Sequence, residues 1–146
     1  VGVTMSKGDT FENDLLKLIF NATAIANIAD NAATSPLTNL FVALHTADPG
    51  ETGNQTTNEV SYTGYARATV ARTSGGWTIT GSSVSPTVTI AFGACTAGTG
   101  TATHASIGVA VSGATKILYK GALSPTIAFA PGVTPQMGAT STITED

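Results

Sequence analysis

Hydrophobic and polar positions follow two different periods along this chain, one near the N-terminus and another from about residue 39 onwards. In the first stretch, apolar side chains recur every three or four residues, as on one face of an α-helix. This spacing predicts a helix over about residues 10–22, preceded by an N-terminal arm over residues 1–9. Asp9 and Glu12 resemble a capping box at the helix start. The apolar stripe consists of Phe11, Leu15, Leu18, Ile19 and Ala22.

The second part of the chain begins with the apolar run Leu40-Phe41-Val42-Ala43-Leu44. The turn residues Asp48-Pro49-Gly50 follow shortly after this run. A short apolar run with β-branched and aromatic members predicts a buried strand, here over about residues 39–46. The turn begins a polar loop over about residues 47–59. Loops of this length are often functional, and we therefore take Asp48 and Glu51 as candidate interaction residues.

From Tyr62 onwards, short segments alternate between apolar and polar residues and are separated by Gly and Pro turns. Residues 65–72 and 77–80 flank the turn Ser74-Gly75-Gly76, a pattern that predicts a β-hairpin. Trp77 is expected in the core. About seven or eight such strands predict a mainly β fold, an antiparallel β-sandwich or jelly roll. Residues 10–146 are expected to form a single domain with the N-terminal helix.

The composition is neutral and rich in threonine, with 26 Thr and only 10% charged residues. Thr suits pleated surfaces, and so few charges are typical of a domain that buries surface in an assembly. We therefore expect a homo-oligomer, a dimer or a trimer. The net charge of −3, without interleaved basic and aromatic residues, argues against nucleic-acid binding. No apolar run is long enough to cross a membrane, and the lone Cys95 excludes an internal disulfide.

Acidic residues are distributed in a way that argues against enzyme activity. No Asp or Glu occurs between residues 60 and 144, which excludes a pair of catalytic carboxylates there. His45, Asp48, Glu51 and Glu59 match no metal-ligand spacing. We predict no catalytic residue, no cofactor and no metal.

Four segments of the chain together resemble a family of small tailed-phage virion proteins, often labelled tail fibre-like. The resemblance begins at Met5, which we expect to be the translation start. It implies a protein made in the bacterial host cytoplasm and located in the virion, with other virion proteins as partners. The segments that carry it are Ser6–Leu16, Leu44–Gly50, Asn58–Arg67 and Ile143–Asp146.

Two functions are compatible with this resemblance. The first is capsid cement, or decoration, in which the protein binds the major capsid protein on the outer head surface and stabilises it. The alternative is a tail-fibre, tail-tip or neck component for host attachment or assembly, with Tyr62 and Tyr65 exposed for stacking against a sugar. The candidate interaction residues are Phe11, Leu15, Asp48, Glu51, Tyr62, Tyr65, Arg67 and Arg72.

Overall fold

The computed structural model describes residues 7–25, 28–29 and 36–145. Within these ranges the chain forms one helix, α1 (Asp9–Asn21), and nine strands in antiparallel sheets, which confirms the predicted mainly β fold with an N-terminal helix. Residues 1–6 of the expected N-terminal arm, with the proposed start at Met5, lie outside the described residues. The strands are β1 (Asn39–His45), β2 (Ala68–Ala71), β3 (Trp77–Thr80), β4 (Ser83–Pro86), β5 (Ile90–Ala91), β6 (Gly100–Gly108), β7 (Ile117–Phe129), β8 (Gln136–Met137) and β9 (Ile143–Thr144).

The chain divides into two compact units, which we describe separately. The helical unit contains α1, β3, β4 and β9, and the sheet unit contains β1 and β5 to β8 with most of β2. The number of independently folding domains stays a prediction, as does the jelly-roll topology. The helical unit comprises Val1–Thr38, Ala71–Val88 and Ala139–Asp146, and the sheet unit comprises Asn39–Val70 and Thr89–Gly138.

The sheet unit is built on β1, the strand that the apolar run predicts. Its strand order is β2-β1-β6-β7, so β1 is a central strand, and it is buried from Val42 to His45. Burial on both faces explains why its sequence is a continuous apolar run rather than an alternating one. β6 pairs with β1 on one side and with β7 on the other.

The predicted hairpin over residues 65–72 and 77–80 is wrong. β2 belongs to the four-stranded sheet beside β1, whereas β3 pairs with β4 in a three-stranded sheet of order β3-β4-β9. The glycine-containing turn is therefore a connection between sheets. Residues Ile117–Phe129 form one long strand, β7. Pairing between strands is set by tertiary contacts, which a turn signal does not encode.

Helix α1 is correctly placed, but its buried face and its start differ from the predictions. The N-cap is Gly8, without a side-chain hydrogen bond, so the capping box of Asp9 is wrong. The buried residues of α1 are Glu12, Leu16 and Phe20, which are spaced four residues apart and therefore share one face of the helix. This face lies about 115° around the helix axis from the predicted stripe.

The core of the helical unit forms where α1 meets β3 and β4. The rings of Phe20 and Trp77 meet edge-on with centroids 4.8 Å apart, and Leu16 and Val84 are also buried. The burial of Trp77 confirms the expectation that it belongs to the core. Apolar residues cover so wide an arc of α1 that the position of this small sheet, rather than helical periodicity, decides which ones are buried.

None of the helices in the described ranges has both the length and the hydropathy required to cross a lipid bilayer.

Candidate functional site

A buried polar network surrounds Arg67, which lies directly before β2 in the sheet unit. Its Nε donates to Oε1 of Glu59 at 2.7 Å, and its Nη2 donates to Oε2 of the same carboxylate at 2.8 Å. The side chains of Arg67 and Glu59 are only 2% and 16% exposed. A two-pronged, charge-assisted pair of this kind is strong and directional. Hydrogen bonding to Glu59 raises the pKa of Arg67, so the guanidinium stays charged.

The same guanidinium also holds the turn between β6 and β7. Nη1 donates to the carbonyl oxygen of Ala110 at 3.1 Å and to Oγ1 of Thr115 at 3.2 Å. Nη2 donates to the carbonyl oxygen of Gly113 at 2.8 Å. Arg67 therefore joins the end of the long loop, through Glu59, to a turn that lies about fifty residues further along the chain.

Gln55 extends the network into the middle of the long loop. Its side chain is fully buried, and its Nε2 donates to the carbonyl oxygen of Phe41 at 2.9 Å. Its Oε1 accepts hydrogen bonds from Arg67 and from Thr115. A Cβ atom at Gly108 would collide with the Gln55 amide, so only glycine allows this close approach. Gln55 is thus the internal anchor of a loop that has no large apolar side chain between Ala47 and Asn58.

His45, at the end of β1, is buried beside this network. The carbonyl oxygen of Thr57 lies 2.8 Å from Nδ1, so Nδ1 carries the proton and donates it. Nε2 is therefore an acceptor for the hydroxyl of Ser106, 2.7 Å away. Burial lowers the pKa of His45, which favours the neutral ring. Both side chains are buried and a backbone carbonyl orients the ring, so this Ser–His pair serves packing rather than nucleophilic attack.

Tyr62 and Tyr65 do not form the exposed aromatic surface that we predicted. Tyr62 is 5% exposed, and its hydroxyl donates to the carbonyl oxygen of Gly93 at 2.7 Å. The Tyr65 hydroxyl donates to Glu59 at 3.0 Å and accepts from the backbone N–H of Leu44 at 3.1 Å. Burial also raises the pKa of Tyr65. Both rings pack within the sheet unit, where their hydroxyls have internal partners.

The exposed end of the long loop carries a group of charges that we call the loop-tip ion cluster, formed by Asp48, Glu51 and Lys120. Lys120 Nζ lies 3.1 Å from Asp48 Oδ1 and 2.9 Å from Glu51 Oε1. The backbone N–H of Gly50 donates to Asp48 at 2.8 Å, and this bond, followed by Lys120, lowers the pKa of Asp48. The Glu51 side chain is 90% exposed. Asp48 and Glu51 are thus placed together at a surface, as candidates for contact with a partner.

In the helical unit, Arg72 caps the C-terminal end of α1. Its Nε and Nη2 donate to the carbonyl oxygens of Ile19 and Leu18, both at 2.6 Å. Its Nη1 donates to the carbonyl oxygen of Leu37 at 2.7 Å. The last turn of α1 contains no basic residue of its own, so Arg72 supplies the positive charge that this end of a helix favours.

The helical candidates Phe11 and Leu15 lie on the face of α1 that the unit leaves partly uncovered. Phe11 is 41% exposed and Leu15 is half-buried. Neither contributes to the buried face formed by Glu12, Leu16 and Phe20. Their role as interaction residues stays a prediction, but their placement allows it.

The acidic side chains of the sheet unit's network take part in hydrogen bonds and ion pairs within the protein. Among the residues that the structure describes, no three His, Cys, Asp or Glu side chains come together in a way that suits a metal ion. Glu59 binds Arg67 and Tyr65, and Asp48 binds Gly50 and Lys120. The titratable side chains of the sheet unit's network are therefore engaged with one another.

The sequence reasoning missed Gln55, Ser106 and Thr115, which complete the buried network. Each is a polar residue in a segment with no distinguishing pattern, so the sequence contains no signal for its burial. Arg67 is among the candidate interaction residues predicted from the sequence, and Glu59 belongs to a metal-ligand set that matches no known spacing, but the sequence does not pair the two residues. Their spacing of eight residues matches no local motif.

Comparison with known proteins assigns the chain to a family. The model of the family described as podophage GP4 fiber I protein gp80 matches residues 6–143, almost the whole of the 146-residue chain. A search of curated proteins finds no match. The matched range includes the Arg67 network, the loop-tip ion cluster and α1. The chain therefore belongs to the podophage GP4 fiber I protein gp80 family, a family of phage structural proteins.

Proposed function

We propose that this protein is a tail-fibre component of a phage virion and that it acts in fibre assembly or attachment rather than in catalysis. The observation that carries the proposal is the match of the fibre-protein family along residues 6–143. This match supports a role in the tail fibre more than a role in capsid decoration. The decoration hypothesis rests only on composition and general architecture. The protein is made in the host cytoplasm and then incorporated into the particle.

The geometry of the sheet unit suits a structural role. Arg67 holds the C-terminal end of the long loop through Glu59, and Gln55 attaches the middle of the loop to β1 and to Arg67. A loop held by buried, charge-assisted hydrogen bonds loses little conformational entropy when a partner binds to it. The loop therefore presents its exposed end in one preformed arrangement, as an assembly contact requires.

The loop-tip ion cluster is the surface that we propose for contact with a neighbouring virion protein. It offers two carboxylates and one ammonium group on adjacent segments, with Glu51 almost fully exposed. Exposed charges of this kind add little to stability, but they steer association and select partners of complementary charge. Binding through this surface should weaken as the salt concentration rises, because exposed charges are screened.

Direct glycan binding through Tyr62 and Tyr65 is not part of this proposal. Sugar stacking requires an accessible aromatic face, and Tyr62 is buried. The Tyr65 hydroxyl is hydrogen-bonded to Glu59 and to the backbone N–H of Leu44. The role in host attachment that we propose is therefore structural: the protein supports or positions other fibre components.

Co-sedimentation tests the location of the protein in the particle. Purified protein is mixed separately with isolated tails, with expanded heads and with host cells, and gold-labelled antibodies locate it on intact virions. Saturable binding to tails, with label on the fibres, is the expected result. Binding to heads alone, together with a lower bursting temperature of heads that lack the protein, would overturn the proposal and favour decoration.

Charge reversal tests the proposed contact surface. Glu51→Lys changes an exposed charge in the loop-tip ion cluster, and we expect it to reduce binding to tails by about tenfold, the effect of roughly 1.4 kcal/mol. Lys116→Glu is the matched control, because it reverses another exposed charge of the sheet unit outside the cluster. Equal binding by the two variants would exclude the loop tip as the contact.

A further inference from the structure

The long loop lies against one face of the sheet formed by β1, β6 and β7. His45 of β1 is paired with His104 of β6. Ser106, two residues further along β6, is paired with Lys120 of β7. Residues paired or spaced in this way in an antiparallel sheet share a face. The loop meets this face at three places, which are Thr57 against His45, Gln55 against Ser106, and Asp48 with Glu51 against Lys120.

The contacts under the middle of the loop form a hydrogen-bond chain whose direction depends on a neutral His45 ring. Nδ1 of His45 donates to the carbonyl oxygen of Thr57, so Nε2 accepts the hydrogen of the Ser106 hydroxyl. The Ser106 oxygen also faces Nε2 of Gln55, a donor, at 3.5 Å. Turning the Gln55 amide over would place this donor against the Arg67 guanidinium, which donates to Gln55 Oε1. The surrounding bonds therefore fix every donor and acceptor in the chain.

A second proton on the His45 ring breaks this chain at Ser106. Both ring nitrogens of an imidazolium are donors. The Ser106 oxygen would then face two donors, His45 and Gln55, and its own hydrogen would lose its acceptor. His45 is completely buried and Ser106 is 1% exposed, and both a buried charge and a buried unsatisfied hydroxyl are costly. Protonation therefore destabilises the arrangement in which the loop covers the ring.

The charged groups around His45 do not offset this cost. Burial has the largest influence and lowers the pKa of His45, whereas a backbone hydrogen bond and the Glu59 carboxylate act in the opposite direction. Glu59 is a weak counter-ion for the ring, because both of its oxygens accept hydrogen bonds from Arg67. The remaining titratable groups on this face of the sheet are His104, which also lowers the pKa of His45, and Lys120, which belongs to the loop-tip ion cluster.

We propose that His45 is a pH-dependent switch, which holds residues 54–58 on the sheet when the ring is neutral and releases them when the ring is protonated. Release admits water, which solvates the charge and supplies an acceptor for the Ser106 hydroxyl. Residues 54–58 open first because their sequence, Asn-Gln-Thr-Thr-Asn, has no apolar side chain, and hydrogen bonds attach them to the sheet. β1, in contrast, is an apolar central strand paired on both sides.

The switch has a consequence for the surface that we propose for partner contact. Residues 54–58 follow Asp48 and Glu51 in the same loop, so their release also loosens the loop-tip ion cluster. This consequence rests on the proposed function, whereas the switch itself rests only on the network around His45. Measurements on the isolated protein therefore separate a failure of the switch from a failure of the proposed function.

Amide hydrogen exchange of the full chain between about pH 7 and pH 5, corrected for the intrinsic exchange rate, tests the switch. The N–H groups of Gln55 and Thr57 report on it, because they donate to the carbonyl oxygens of Thr115 and Asn54 in the closed loop. The closed ring has the lower pKa, so the closed loop is fully favoured above about pH 6.5 and loses this advantage as the pH falls. Protection of the two amides should fall by up to about tenfold per pH unit below pH 6.5. At about pH 5 it should be at least about tenfold below that of the β1 amides.

The two histidines of the chain supply the variant and its matched control. His45→Gln keeps a donor and an acceptor but takes up no proton in this range, so the loop amides should lose their pH response. His104→Gln removes the half-buried histidine on the facing strand and should keep the response. Circular dichroism verifies that both variants are folded. NMR titration of the wild-type protein requires no variant, and the His45 ring signals and the amide signals of residues 54–58 should change with one midpoint.

Four results would overturn the inference. The first is protection of the loop amides that does not respond to pH. The second is a response that survives His45→Gln or disappears in His104→Gln. The third is equal protection of the loop and β1 amides at about pH 5, which would couple His45 to unfolding of the whole unit. The fourth is a His45 ring that titrates while the amide signals of residues 54–58 stay unchanged.

Discussion

The two units of this protein use an arginine in opposite ways. Arg67 in the sheet unit is buried and faces a carboxylate, so its charge is neutralised by Glu59 and shared among several hydrogen-bond acceptors. Arg72 in the helical unit donates to the backbone carbonyls of Leu18, Ile19 and Leu37. Arg67 therefore fixes a loop and a turn to a sheet, whereas Arg72 completes a helix. Burial lowers the pKa of Arg72, but a guanidinium stays protonated.

The cores of the units differ as well. Beside the Arg67 network, the sheet unit buries His45, Gln55 and Ser106, each with an internal partner. The helical unit packs Phe20 against Trp77, whose Nε1 is the one buried side-chain polar atom without a hydrogen-bond partner among the described residues. The sheet unit therefore adds a buried polar network to an apolar core that includes Leu44 and Phe92, whereas the core of the helical unit is mainly apolar.

The largest effect should come from Arg67→Ala. The substitution leaves the Glu59 carboxylate with its charge uncompensated and removes the bonds to the turn at Ala110–Thr115, so we expect a loss of about 3–5 kcal/mol in the free energy of unfolding. Urea denaturation measures it. Arg67→Lys keeps the charge but not the two-pronged geometry, and it should fall between wild type and Arg67→Ala. A loss below about 1 kcal/mol for Arg67→Ala would contradict the importance of the network.

A smaller effect should follow Arg72→Met, which keeps much of the apolar stem but removes the donors to the end of α1. We expect a loss of about 1–3 kcal/mol, with lower helicity at 222 nm. Arg72→Lys is the matched control, because it keeps the charge but cannot reach three carbonyls. If Arg72→Met and wild type have the same denaturation midpoint, the cap contributes no stability, and the contrast between the two arginines fails.

The smallest effect should be a pH dependence due to His45. Its pKa is lowered in the folded protein, so between the folded and unfolded pKa values the unfolded chain binds more protons than the folded one. Its contribution to stability is therefore complete above about pH 6.5 and decreases as the pH falls towards the folded pKa. The free energy of unfolding should decrease between pH 7 and pH 5 by at most about 1.4 kcal/mol per pH unit.

His45→Gln provides the comparison for this measurement, because a neutral amide has no titration in the same range. We expect a less stable variant whose stability changes less between pH 7 and pH 5. A variant that keeps the full wild-type slope would assign the pH dependence to other groups.

The sequence alone determined the features that depend on local pattern. The apolar run Leu40–Leu44 predicted β1, helical spacing placed α1 within a residue of its observed ends, and alternation predicted a mainly β chain with Trp77 in the core. These signals are strong because each is repeated over several neighbouring residues. The segments that resembled phage virion proteins also led to the correct broad class.

Only the tertiary structure decided which surfaces meet. It buried Leu16 and Phe20 instead of Phe11 and Leu15, paired β2 with β1 rather than with β3, and placed Tyr62 inside the sheet unit. It also joined Arg67 to Glu59, Gln55 and the turn near Thr115. The physical reason is that a period along the chain describes one element, whereas burial and hydrogen bonding depend on a partner element far away in sequence.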